Sequence, residues 1–148
     1  MFNHILLPTD DSELSRKTVL KGIEFARRIG ARVTACHAAS HNNLTQVYVA
    51  SGAVSKEIGE KLEREFKESV DRILRFVSDA AKNASVPVET RYVNSPDPFA
   101  AIIQTAEKEG CDLIFMASHG RKGVSALVLG SETNKVLTHS KIPVMVYR

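Results

Sequence analysis

Apolar residues in this chain fall into two kinds of pattern. Short apolar runs closed by turn residues occur at His4-Ile-Leu-Leu7, Leu113-Ile-Phe-Met116 and Pro143-Val-Met-Val-Tyr147, and Arg32-Val-Thr-Ala-Cys-His-Ala38 reads as a further strand. Their length and bounded ends fit strands buried on both faces. Between them the apolar positions recur every three or four residues. Val19, Leu20, Ile23, Ala26 and Ile29 form one such stripe, with Asp11 or Ser12 as cap and Gly30 as stop. A longer stripe runs through Ile58, Leu62, Phe66, Val70, Ile73, Val77 and Ala80, its other faces filled by charges of interleaved sign. Asp97 as N-cap and Pro98 at the first helical position open a third, through Phe99, Ile102, Ile103 and Ala106 to Gly110. Ser131 caps a fourth that carries Val136 and Leu137. Each is the signature of an amphipathic helix.

One segment alternates instead. Val86, Val88, Thr90 and Tyr92 interleave with Pro87, Glu89 and Arg91, which is the period of a strand with one face less buried, as at a sheet edge. Ser40 to Ala53 is polar and aperiodic and reads as a surface loop. Five strands alternating with four helices predict a doubly wound α/β sandwich on a five-stranded parallel sheet. With the alternating third strand at an edge and the apolar first and fourth strands central, the order is 3-2-1-4-5. Ligands of such sheets sit beyond the carboxyl ends of the strands where the winding reverses, here between strands one and four. Strand five, Val144 to Tyr147, is apolar on both faces yet lies at the other edge. A second copy pairing there would cover it, so a homodimer is expected.

Composition narrows the classes. At 148 residues and 43% hydrophobic content the chain fits one domain, 1–148, with a full core. Lys and Arg number 20 against 17 Asp and Glu and are scattered, so no nucleic-acid surface is expected. No apolar run is long enough for a membrane span, and no charged leader precedes the first strand. Cys36 and Cys111 are far apart and form no C-x-x-C, which points to a reduced, cytoplasmic setting. Of the two, Cys111, just past a helix end, is the better candidate for a reactive thiol.

The chemistry concentrates between Met116 and Thr133. This stretch joins a buried strand to a helix N-terminus and holds Gly120, Gly123, Arg121, Lys122 and Ser131. Unpaired N–H groups, the helix dipole and glycines that admit close approach make a phosphate cradle. The competing reading is a plain Gly/Ser turn that binds nothing. No G-x-x-x-x-G-K-[ST] and no G-x-G-x-x-G after a strand is present, which excludes the P-loop and Rossmann sites. Asp10 would repel phosphate, so it fits a hydroxyl end or a bridging Mg²⁺; its plainer use is an Asx turn or cap beside Asp11. His4, His37, His41, His119 and His139 lack metal-ligand spacing. His119 orders the loop, and no nucleophile or other catalytic residue is assigned.

Over its whole length the chain resembles a single-domain universal stress protein. The resemblance rests on Ile5-Leu-Leu-Pro-Thr-Asp10, Ala117-Ser-His-Gly120, Gly130-Ser131 and Ile142-Pro-Val-Met-Val146. The nucleotide-binding branch of that family carries glycine, two residues, glycine, nine residues, then Gly-Ser or Gly-Thr. Gly120, nine residues and Gly130-Ser131 match, while Ala117 replaces the first glycine. The resemblance implies an adenine nucleotide alpha hydrolase-like fold and binding of ATP or AMP, with Mg²⁺ as its companion. It places Asp10 near the adenine and ribose, backbone contacts to the base at Ala38, and Gly120, Gly130 and Ser131 around the phosphates. Pro8, Thr9, Met116, Ala117 and Glu132 would line the crevice, and Arg121 or Lys122 would supply positive charge. A methyl at Ala117 is tolerated if φ stays negative and lowers affinity if the position needs φ above zero.

The expected function is a dimeric nucleotide-binding stress-response regulator that acts on unnamed protein partners, with little or no turnover. The alternatives are a slow Mg²⁺-dependent ATPase or phosphotransferase, and an interaction protein that binds no nucleotide.

Overall fold

The computed structural model describes residues 1–41, 44–120 and 129–148. The described elements are β1 (His4–Pro8), α1 (Glu13–Ile29), β2 (Arg32–Ala39), α2 (Leu44–Ala50), α3 (Lys56–Asn83), β3 (Val88–Asn94), α4 (Pro98–Glu109), β4 (Leu113–Ala117), α5 (Ser131–His139) and β5 (Val144–Tyr147). All strand pairs are parallel and the order is β3-β2-β1-β4-β5, as the hydrophobic pattern predicts. Parallel strands joined by helices put every helix N-terminus at the carboxyl end of the sheet.

The core has two layers because strand side chains alternate between faces. On one face Ile5, Leu7, Val33, Ala35, Leu113 and Phe115 pack against Val19, Ile23 and Ala26 of α1 and Val77 and Ala81 of α3. On the other Leu6, Cys36, Ile114 and Met116 pack against Ile102 and Ala106 of α4 and Val136 of α5. Ile5, Leu6 and Leu7 are fully buried. Each contributes about 1.5–3 kcal/mol, so β1 anchors both layers.

Four departures from the pattern have local causes. The segment read as a loop between β2 and α3 contains α2, held where Thr45 and Val49 meet Gly59 of α3. At 28 residues α3 spans roughly 42 Å, longer than any strand here. Its first turns run past the sheet, so Ile58 and Leu62 are 53% and 45% exposed although they belong to the same stripe as Ile73 and Val77. The N-cap of α5 is Gly130, with Ser131 as the first helical residue rather than the cap. Asp97 caps α4 by position, yet its side chain makes no capping hydrogen bond.

Candidate functional site

Three strand ends converge at the switch point, and each is fixed by its own small network. Beyond β1, the Thr9 N–H donates to the Cys36 carbonyl at 2.9 Å, which carries the β1–β2 pairing one residue past Pro8. Thr9 Oγ1 lies 3.0 Å from the buried Ser15 Oγ, and the Asp10 N–H donates to the same oxygen at 3.2 Å. The His37 ring meets the Thr9 carbonyl at 2.7 Å through Nδ1. A carbonyl only accepts, so Nδ1 carries the proton. The chain then turns sharply: Asp11 takes φ 64°, and Ser12 caps α1 by accepting from the Ser15 N–H. Arg16 ties Asp11 at 3.0 Å and stacks over Phe76 of α3 at 4.1 Å, which holds this strained turn.

Asp10 makes the Asx turn of its plainer reading and also reaches across to the loop after β4. One carboxylate oxygen accepts the Ser12 N–H at 3.0 Å, an Asx turn. The other lies against Gly120, so close that a Cβ at that position would collide with Asp10 Oδ2. The bare Cα of Gly120 therefore lets β1 and β4 close on each other across the switch point.

At the end of β2, Ala38 is half-buried, and the Ala39 carbonyl accepts from the Tyr92 hydroxyl at 3.2 Å. His41 fastens the following residues: its N–H donates to Asn94 Oδ1 at 2.8 Å, and Nε2 lies 2.7 Å from Glu63 of α3. Its ring packs on Phe66 at 4.1 Å, and Phe66 meets Tyr92 edge-on at 5.7 Å. An aromatic wall thus stands between β3 and α3 beside this strand end.

Beyond β4, the Ser118 N–H donates to Tyr147 and the Ser118 carbonyl accepts the Gly130 N–H, both at 2.8 Å. A Cβ at Gly130 would come within 3.0 Å of the His119 Cα and 3.2 Å of the Ser118 carbonyl. Even an alanine there would force one of these two backbone stretches to give by a few tenths of an ångström. Thr133 Oγ1 then donates to the Ala117 carbonyl at 2.9 Å, locking the first turn of α5 onto β4. The first bond within α5 runs from the Asn134 N–H to the Gly130 carbonyl. The N–H groups of Ser131, Glu132 and Thr133 have no earlier helical carbonyl to reach, and the helix dipole adds positive potential there.

The structure brings Thr9, Asp10, Gly120, Gly130 and Ser131 to one end of the sheet, with Pro8 and Ala38 closing their strands beside them. Met116 is a core side chain, packed with Leu6, Ile114 and Val136. Glu132 turns its carboxylate to the Phe99 N–H of α4 at 2.9 Å and to Lys135 at 3.0 Å. Arg121 and Lys122 lie outside the described residues. Ala117 has no positive φ, since Asp11 and Ser85 are the only non-glycine residues with one among those described. Ser15, His37, Ser118 and Thr133 carry the site's hydrogen bonds, a role the sequence reading assigned to none of them. A polar residue set in an apolar strand, as at His37, was the one available signal.

Other candidates resolve elsewhere. Both thiols are buried, and burial pushes Cys36 up to about 11 and Cys111 up to about 12, so neither is activated as a nucleophile. No cluster of three metal-ligating side chains occurs among the described residues. A groove of about 600 Å³ between α2 and α3 is lined by ion-paired side chains such as Lys56 with Glu60 and Lys67 with Glu63, apart from the strand ends. No helix among the described residues is long and apolar enough to cross a membrane.

Comparison with known proteins gives a consistent result. The model of the universal stress protein family matches residues 1–148. Universal stress protein YxiE of Bacillus subtilis is 28% identical over 149 residues, covering 100% of both chains. The solved structure of protein MJ0577, from Methanocaldococcus jannaschii, superposes with a TM-score of 0.79 at 26% identity, covering 99% of this chain and 95% of that one. A universal stress protein in complex with cAMP shares the fold at a TM-score of 0.69 and 22% identity, covering 99% and 97%. One from Archaeoglobus fulgidus in complex with dAMP does so at 0.69 and 14%, covering 100% and 98%.

Proposed function

This chain belongs to the universal stress protein family, and on that premise we propose that it is an adenine-nucleotide-binding regulator of the stress response, a homodimer with little or no turnover. The observation that carries this reading is Gly130. Its bare Cα lies against the backbone of Ser118 and His119 and leads directly into the first turn of α5, where the helix offers N–H groups at a sheet switch point. Phosphates would sit on Gly120, Gly130 and Ser131. Asp10, already engaged by the Ser12 N–H, suits the ribose hydroxyls rather than a phosphate. Ala38 would offer backbone contacts to the base. ATP would come with Mg²⁺, and AMP without it. The resemblance to proteins that hold cAMP and dAMP supports the adenine class.

The dimer reading rests on β5, the outer strand of the sheet, whose Met145 is exposed. Pairing of Val144–Tyr147 with its copy would cover that edge and leave both crevices free for protein partners to read.

Calorimetric titration of the nucleotide-free protein with Mg²⁺-ATP, beside a Gly130→Val variant, tests the reading. Micromolar binding, about −8 kcal/mol, is expected for the parent and none for the variant. Absence of heat and of any thermal shift at millimolar ATP would leave a dimeric interaction protein in its place. Steady phosphate release abolished by Asp10→Ala would favour the enzyme alternative.

A further inference from the structure

The α4 N-terminus lacks a cap of its own. Asp97 makes no side-chain bond there, Pro98 has no N–H, and the first backbone bond runs from the Ala101 N–H to the Asp97 carbonyl. The Phe99 N–H is satisfied from another helix, by Glu132 Oε2 at 2.9 Å, across 33 positions of sequence. Lys135, one turn further along α5, holds the other oxygen at 3.0 Å and also lies over the Phe99 ring at 5.1 Å. His139 packs on the same ring at 5.5 Å. Glu132, Lys135 and His139 share one face of α5 by their spacing, so that face is clasped to the first turn of α4. Glu132 is the second residue of α5, directly after Ser131.

We propose that Glu132 is a positioning residue for the phosphate cradle: by capping α4 from α5 it fixes the direction in which the first-turn amides of α5 point. The proposal rests on the nucleotide-binding reading given above. Thr133 and Gly130 tie the same turn to β4. Those bonds set its distance from the strand, and the Glu132 clasp sets its rotation about them. A carboxylate beside a phosphate site would ordinarily repel the ligand. Here both oxygens are engaged, one by a helix N-terminus and one by an ammonium group, so the charge is offset where it sits.

The test compares Mg²⁺-ADP with adenosine by calorimetry on the full-length protein and three variants. Glu132→Ala removes the clasp, and Glu132→Asp keeps the charge but shortens the reach to Phe99. Both should bind Mg²⁺-ADP roughly tenfold more weakly, about 1.4 kcal/mol, with adenosine affinity unchanged. Glu132→Gln retains an acceptor oxygen and should bind both ligands as the parent does. Asp is favourable in a helix first turn, so Glu132→Asp carries the test if Glu132→Ala fails to fold. Loss of adenosine and Mg²⁺-ADP binding in parallel would mark a merely structural role and overturn the proposal. Tighter Mg²⁺-ADP binding by Glu132→Ala and Glu132→Gln would overturn it too, showing repulsion instead of positioning. A parent protein that binds Mg²⁺-ADP while all three variants match it refutes the role of Glu132 alone. A parent that binds no nucleotide refutes the underlying reading, and the positioning role with it.

Discussion

Two aspartates join β1 to β4 at opposite ends of the same pair of strands, and they do different work. Asp112, just before β4, accepts the Asn3 N–H at 2.8 Å and the His4 N–H at 3.0 Å, sealing the start of β1. Burial pushes its carboxyl up, but those N–H bonds outweigh the effect and hold it below the usual range. Around it Thr34, His4 and Cys111 are buried, and His4 Nε2 meets Thr34 Oγ1 at 2.8 Å. Asp10, just after β1, faces the bare Cα of Gly120. The difference lies in what the backbone supplies. At the closed end strand N–H groups need an acceptor and a carboxylate provides it. At the open end the helices present N–H groups of their own, which leaves room for an anion from outside.

The comparison breaks if either end controls the other's property. Asp112→Ala removes two charge-assisted bonds and should lower the unfolding free energy by about 2 kcal/mol in a urea titration. Nucleotide affinity of the folded protein should stay within about twofold, a shift below 0.5 kcal/mol. Affinity falling in step with stability would mean that the closed end shapes the crevice. Gly120→Ala is the reciprocal change. Its methyl displaces the Asp10 carboxylate from the Ser12 N–H, and affinity should drop about tenfold while stability changes by less than about 1 kcal/mol. A large stability loss without weaker binding would make this end structural as well.

The sheet order was legible because each strand declares its burial locally: unbroken at His4–Leu7 and Leu113–Met116, alternating at Val88–Tyr92. Close approach leaves a glycine behind in the sequence, against the Asp10 side chain at Gly120 and against backbone at Gly130. Helix α2 was not legible, because its seven residues carry no full apolar stripe and are held by contact with Gly59. The clasp made by Glu132 was not legible for a related reason. Its partner, the Phe99 N–H, belongs to the start of another helix, and no local spacing encodes that pairing. The exposure of Ile58 and Leu62 depends on where the sheet ends beneath α3, a property of the assembled layers.

Ala117 gives the sharpest test of how far the open end extends. The residue replaces a glycine of the family's nucleotide-binding pattern, yet it lies within β4, opposite Tyr147 in the register, and is 8% exposed. Its φ is not positive and its carbonyl already holds Thr133, so the backbone has no need of glycine here. Ala117→Gly should therefore lower stability by about 1 kcal/mol, through a lost buried methyl and added unfolded-state freedom. It should alter Mg²⁺-ATP affinity by less than about threefold. A tenfold gain instead would put the methyl inside the cradle and move the boundary of the open end one residue inward, from Ser118 to the last residue of β4.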